Sequence, residues 1–200
     1  MPELIPGSRY AMHPGFAMED SSKRLIEDRT GRSFADWVVM AQGGPPEYKD
    51  RAEWLKSEHG LTTNYANWVA ERSFGKGGPE NYRPEEYVDD QYAGKKAHLR
   101  PIYNALLDLC LGFADDLTAC PCETMVPIYR NHVIAQIKPT TNTRIDLGFA
   151  LKDTPVEGRL IDTGGFAKKD RITHRIPITS LDEVGDDVRH WLARAYEMDR

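Results

Sequence analysis

The sequence predicts an α+β chain: a small all-helical N-terminal module, then an antiparallel sheet of about 4–5 strands flanked by a preceding and a C-terminal helix. Three observations carry this. Apolar residues recur at helical spacing up to Phe74 and again between Pro84 and Phe113. After Cys120-Pro121-Cys122 the period changes to two, and after Ser180 it returns to helical.

Residues 1–16 are rich in Pro and Gly and lack periodicity, so they read as a tail draped over the fold. A short helix follows, with Ser21 or Ser22 as its cap, Leu25 and Ile26 as its apolar face and Thr30-Gly31 as its end. Ser33 is a natural N-cap for a second helix, because its hydroxyl accepts an orphan backbone N–H, and Phe34, Trp37, Val38 and Ala41 follow on one face. Gly43-Gly44-Pro45-Pro46 stops it. A third helix carries Tyr48, Ala52 and Leu55, closed by His59-Gly60, where glycine adopts the left-handed conformation without a Cβ clash. A fourth begins near Thr62 or Thr63, sets Tyr65, Trp68 and Val69 beside Leu61, and ends before the glycines of Gly75–Pro79. The expected organisation is a helical module over 17–75, a linker over 76–83 and an α+β domain over 84–200.

The second domain opens with helical sequence from Pro84 to Tyr92, then a longer helix with Leu99, Ile102, Leu106, Leu109, Cys110 and Phe113, in which Pro101 either sits in the first turn or kinks the helix. Val133, Ala135 and Ile137 then alternate with His132, Ile134, Gln136 and Lys138, and Ile145, Leu147, Phe149 and Leu151 with Arg144, Asp146 and Gly148. Lys138 to Thr143 has turn chemistry, which makes the pairing antiparallel. Gly158 to Ile161 and Arg171 to Ile178 are further strands, with Gly164-Gly165 a turn between them. A capping box of Ser180 and Glu183 starts the last helix, whose stripe of Val184, Val188, Trp191, Leu192 and Ala195 covers one face of the sheet.

No run approaches the roughly 20 apolar residues of a membrane-spanning helix, and Pro2, Glu3, Pro6 and Gly7 stand where a signal peptide would carry an apolar core. Three cysteines make no even disulfide framework. The expected address is the cytoplasm, with no membrane partner. A net charge of −5 argues against a surface that attracts nucleic acid throughout, since counterion release needs a concentrated basic footprint. Residues 120–178 are mildly basic all the same. The third and fourth helices resemble a helix-turn-helix, but Lys49, Arg51, Lys56 and Arg72 are outnumbered there by Glu47, Asp50, Glu53, Glu58 and Glu71, which disfavours DNA reading.

Within the basic segment Tyr129, Arg130, His132, Lys138 and Arg144 occupy neighbouring strand rungs, and Lys168, Lys169, Arg171 and Arg175 lie on or beside the loop that feeds the last strand. Their convergence would attract an anion: arginine grips carboxylate or phosphate with a bidentate fork, and tyrosine stacks on planar groups. The competing reading is a solvated sheet face with local pairing such as Arg144 with Asp146. Alternation places His174 on the side of the isoleucines, either as a hydrogen-bonded core histidine or as the polar group of an apolar pocket. Cys120 and Cys122, two apart, face one side of a strand and are weak metal candidates with His132 or His174, because structural zinc sites space cysteines by two or more intervening residues. Gly164-Gly165-Phe166-Ala167-Lys168-Lys169 lacks the spacing of a phosphate loop, and no nucleophile elbow, zinc-protease or dinucleotide motif occurs. No catalytic residue and no cofactor is expected.

Several runs resemble a known pair of families: Thr30-Gly31-Arg32-Ser33 leading to Trp37, Arg51 through Leu55, Glu58-His59-Gly60-Leu61 and Asn64-Tyr65-Ala66 in the first part; Leu99 through Tyr103, Cys120 through Thr141, Arg144 through Gly148 and Gly164 through Arg175 in the second. These are similar to bacterial proteins that join domain of unknown function 4287 to domain of unknown function 5655. The resemblance implies a fold and no activity. Relatives of the second part look like a module attached to some nucleases, which implies an accessory role. The leading expectation is a non-catalytic binding module whose C-terminal sheet and loops recognise a small or anionic ligand, with the helices as buttress or assembly surface. Nucleic-acid engagement is the alternative, and an enzyme using His174 or a cysteine thiol the third.

Overall fold

The computed structural model describes residues 2–200. The chain divides into two compact units: His13–Tyr82, and Arg83–Arg200 together with the segment that ends at Met12. Among the described residues no helix is long and apolar enough to cross a membrane.

The first unit holds helices α1 (Gly15–Thr30), α2 (Phe34–Gln42), α3 (Tyr48–Ser57) and α4 (Thr63–Ser73). Helix α1 starts well before the expected caps: the Ser21 hydroxyl lies inside the helix and donates back to the Ala17 carbonyl at 3.1 Å, so it cannot serve the N-terminus. Ser33 does cap α2, its Oγ accepting from Asp36 N–H at 3.1 Å. Gly31 and Gly60 end α1 and α3 in the left-handed region, with φ of 69° and 68°. Ile26, Trp37, Leu55, Tyr65, Ala66 and Val69 form the core of this unit. Its cations are largely engaged: Arg72 donates to buried Glu19 at 2.7 Å, and Arg51 donates to the Pro45 carbonyl and Ser73 while stacking on Phe74.

The second unit contains α5 (Pro84–Gln91), α6 (Arg100–Leu111), strands β1 (Thr118–Ala119), β2 (Val126–Tyr129), β3 (Val133–Thr141), β4 (Arg144–Phe149), β5 (Ile161–Asp162) and β6 (His174–Ile178), and α7 (Asp186–Glu197). The strands make one antiparallel sheet of order β1-β2-β3-β4-β6-β5. The sheet is thus six-stranded, larger than expected, because β1 is two residues long and β2 is interrupted by Pro127, so neither leaves an alternating trace. The β3–β4 turn is shorter than the expected Lys138–Thr143: Thr141 pairs with Arg144, and a register shift after Lys138 accommodates Pro139, which has no N–H for the ladder.

Register puts Ile137, Leu147 and Ile176 in one row and Ala135, Phe149 and His174 in the next. That face packs into a core with Leu106, Leu107 and Cys110 of α6 and Val188, Trp191 and Leu192 of α7. Ser180 and Glu183 form the capping box, but it closes a 3₁₀ turn at Leu181–Glu183, and α7 begins only at Asp186. Of the segment expected as a tail draped over the fold, residues 2–12 belong to this unit: Ala11 N–H donates to the Ala119 carbonyl at 2.9 Å, and buried Tyr10 meets the Tyr103 hydroxyl at 2.8 Å.

Candidate functional site

Between β5 and β6 the chain turns through residues 163–173 instead of continuing as strand. Gly164 takes φ of 69° and its N–H is held by the Asp162 carboxylate at 2.7 Å. A Cβ on Gly165 would stand 2.5 Å from the Ile172 carbonyl oxygen, so only glycine fits where the loop returns past its own stem. Lys168 and Asp170 N–H groups both donate to the Gly165 carbonyl, which winds the loop tightly and leaves Phe166 at its outer edge, 54% exposed.

This loop forms one wall of a cavity of about 520 Å³, lined by Ala150, Lys152, Phe166, Ala167, Lys169, Asp170, Arg171, Thr173 and Met198. Two of the lining residues have an unusual backbone. Lys152 and Lys169 sit at φ of 54° and 61°, the non-glycine left-handed residues among those described. L-residues avoid that region at a cost of roughly 1–2 kcal/mol, and such strain collects at ligand sites. Both side chains are exposed, and neither makes an ion pair or side-chain hydrogen bond among the described residues.

The sequence-predicted cluster separates into distinct places. Arg130, His132 and Arg171 turn to the C-terminal segment. Arg130 donates to Asp116 at 2.9 Å and to the Tyr196 carbonyl at 3.0 Å, and stacks 3.8 Å from the Tyr196 ring. Asp199 is the hub of the rest: its buried carboxylate accepts from Asn131 and His132 N–H at 3.0 and 2.9 Å, meets the His132 ring at 2.9 Å and takes an ion pair from Arg171. Burial pushes the Asp199 carboxyl upward, but the hydrogen bonds from His132 and the Arg171 charge outweigh it and hold it below the usual carboxylate range. Arg171, whose Nε also donates to the Val133 carbonyl, is the one member of this latch that also lines the cavity.

Arg144 and Arg175 converge on the other face of the sheet, each 2.9 Å from the buried carboxylate of Asp146. The pairing of Arg144 with Asp146 is therefore the local one weighed against an anion site. Lys138, across from Asp146 in register, lines a second depression of about 540 Å³ with Lys95, Lys96, Asp90 and Glu123, where both signs of charge are present. Tyr129 lies near Cys120 and Cys122, and burial pushes its hydroxyl up to about 12. Lys168 is exposed on the loop and outside the cavity lining. His174 is buried, with its Nδ1 2.8 Å from Thr173 Oγ1; it points into the core and reaches the cavity only through Thr173.

Burial pushes the Cys110 and Cys120 thiols up to about 12 and raises Cys122 as well, so these groups resist forming the thiolate that metal binding or nucleophilic attack requires. Among the described residues no group of three His, Cys, Asp or Glu side chains is arranged to hold a metal ion. Lys152 and Phe166 are the site residues that sequence reasoning missed. The Gly-Gly pair before Phe166 was the available signal, since a tight turn throws the next side chain outward; nothing in the sequence marks Lys152 as left-handed.

Comparison with known proteins gives two matches. A family model described as Domain of unknown function (DUF5655) matches residues 88–199, and one described as Domain of unknown function (DUF4287) matches residues 23–72. No curated protein and no solved structure matches the chain.

Proposed function

We propose, for a chain that belongs to the DUF5655 family, that the α+β unit is a non-catalytic binding module whose cavity between the Gly164 loop and Lys152 takes a small anionic ligand. The observation that carries this reading is the pair of strained, unpaired lysines on one cavity rim. Folding tolerates two left-handed lysines only where something offsets the strain, and an anion drawn to both ammonium groups supplies such an interaction. The exposed part of Arg171 adds positive potential, and Asp170 lowers it on one side, which favours a compact anion over a polymer. Three free cysteines suit a reducing compartment, so the ligand is sought among cytoplasmic metabolites.

The test is isothermal titration with inorganic phosphate, pyrophosphate and citrate at low salt, on the full chain and on a Lys152→Gly/Lys169→Gly double variant. Glycine keeps the backbone conformation and removes the ammonium groups, so loss of binding in the variant reports the charges and not a distorted loop. Saturable binding that disappears in the variant is expected. Absence of binding by the wild-type chain, or equal affinity in the variant, overturns the reading. Nucleic-acid engagement is the alternative, favoured by Phe166 standing exposed beside lysines; it requires gel retardation of single-stranded DNA or RNA that weakens steeply with salt.

A further inference from the structure

We infer that the ligand of this cavity carries a planar aromatic ring joined to its anionic group, with Phe166 as the stacking platform for the ring; the inference rests on the anion-binding reading above. The cavity lining is divided by chemistry. Lys152, Lys169 and Arg171 offer charge and donors, whereas Phe166, Ala167, Ala150 and Met198 offer an apolar surface. A bare inorganic anion uses the first group and leaves the second wet.

Phe166 is the informative member. It is among the large apolar residues left most exposed in the second unit, yet it is not a residue that the core failed to cover: the turn that presents it is held by the Gly165 carbonyl, which accepts from both Lys168 and Asp170 N–H, and by the glycine-only approach of Gly165 to the Ile172 carbonyl. The loop therefore fixes an aromatic ring at the mouth of a cavity whose lining also holds the unpaired Lys152. A ring of the ligand that stacks there removes two apolar faces from water at once, and a thioether, here Met198, makes favourable contacts with aromatic edges. A volume of about 520 Å³ suits a molecule with both parts, being within the usual range of small-molecule sites. An aromatic carboxylate and a nucleoside phosphate both join a ring to an anion and share this chemistry.

Titrations with 1-naphthoate and adenosine 5′-monophosphate, set against acetate and inorganic phosphate, test this on the full chain. At least one ring-bearing anion is expected to bind roughly tenfold or more tightly than its ringless counterpart, and whichever shows that gain identifies carboxylate or phosphate as the anionic part. Phe166→Ala should abolish the gain, bringing the ring-bearing anion down to the affinity that its ringless counterpart shows on the same variant, while Phe166→Tyr keeps it. Equal affinity for ring-bearing and ringless anions, or a Phe166→Ala variant that keeps the gain, overturns the inference and leaves the anion site standing. No binding of any of the four overturns the anion site, and the inference with it.

Discussion

Two groups of basic side chains in the second unit have opposite surroundings. Arg130, His132 and Arg171 end on Asp116, Asp199 and the Tyr196 carbonyl, and all but the Asp116 contact tie a loop to α7 or to the residues just after it. Lys152 and Lys169 stand on the cavity rim with no such partner, on backbone that resists their presence. The split runs parallel to side-chain type, arginine and histidine against lysine, but its physical basis is whether a carboxylate elsewhere in the fold already faces the group. A latch and a binding site make opposite demands on stability, and substitutions can tell them apart.

The largest effect is expected at Asp199. Replacing it with alanine strips two backbone N–H groups, the Arg171 guanidinium and the His132 ring of their acceptor. Because Arg171 and His132 are themselves 46% and 70% exposed, water takes over part of the loss, and about 2–3 kcal/mol of stability is expected to disappear, measured as a shift of the denaturant midpoint. A change below about 0.5 kcal/mol would remove the latch from the comparison. Acid sharpens the same point. The folded Asp199 carboxyl lies below its unfolded value, so its contribution is present above the unfolded carboxylate range near about pH 4 and is lost as pH falls through the folded value. The stability gap between wild type and Asp199→Asn should therefore narrow on acidification through that window and stay constant above it.

How much of this was legible in the sequence follows from the range of each interaction. The alternation of Ile145, Leu147 and Phe149, the Ser33 cap and the helical stripe of α7 are local patterns, and the structure contains all of them. Strands β1 and β2 escaped because Pro121 and Pro127 interrupt a run too short to have a period. The candidate site was read as one basic cluster since Arg130, His132, Arg144 and Arg171 fall in one segment of the sequence, whereas the carboxylates that divide them are Asp116, Asp146 and Asp199, the last of them far down the chain from His132. Cation positions are visible in a sequence; the long-range acids that neutralise them are not.

An intermediate effect is expected at Gly165. Alanine there drives a methyl group into the Ile172 carbonyl and forces the loop to move, which should cost about 1–2 kcal/mol and displace Phe166. Thermal melts and anion titration of Gly165→Ala should both worsen. Binding that survives intact would mean that the loop's shape does not matter to the site.

The smallest stability effect is also the most discriminating, since its sign is reversed. Lys169→Gly relieves a left-handed lysine, worth roughly 1–2 kcal/mol, against the entropy that glycine adds to the unfolded chain, roughly 0.5–1 kcal/mol, leaving a net gain of about 0.5 kcal/mol. In the latch, a substitution that removes a basic group lowers stability because Asp199 or Asp116 loses one of its donors. On the cavity rim, removal of the Lys169 charge is expected to raise the unfolding midpoint slightly while weakening anion affinity, the trade expected of a residue kept for binding at the expense of the fold. Denaturant unfolding and titration of the same variant measure both quantities. A loss of stability in Lys169→Gly would mean that the ammonium group supports the folded chain, and the rim would then be a second latch.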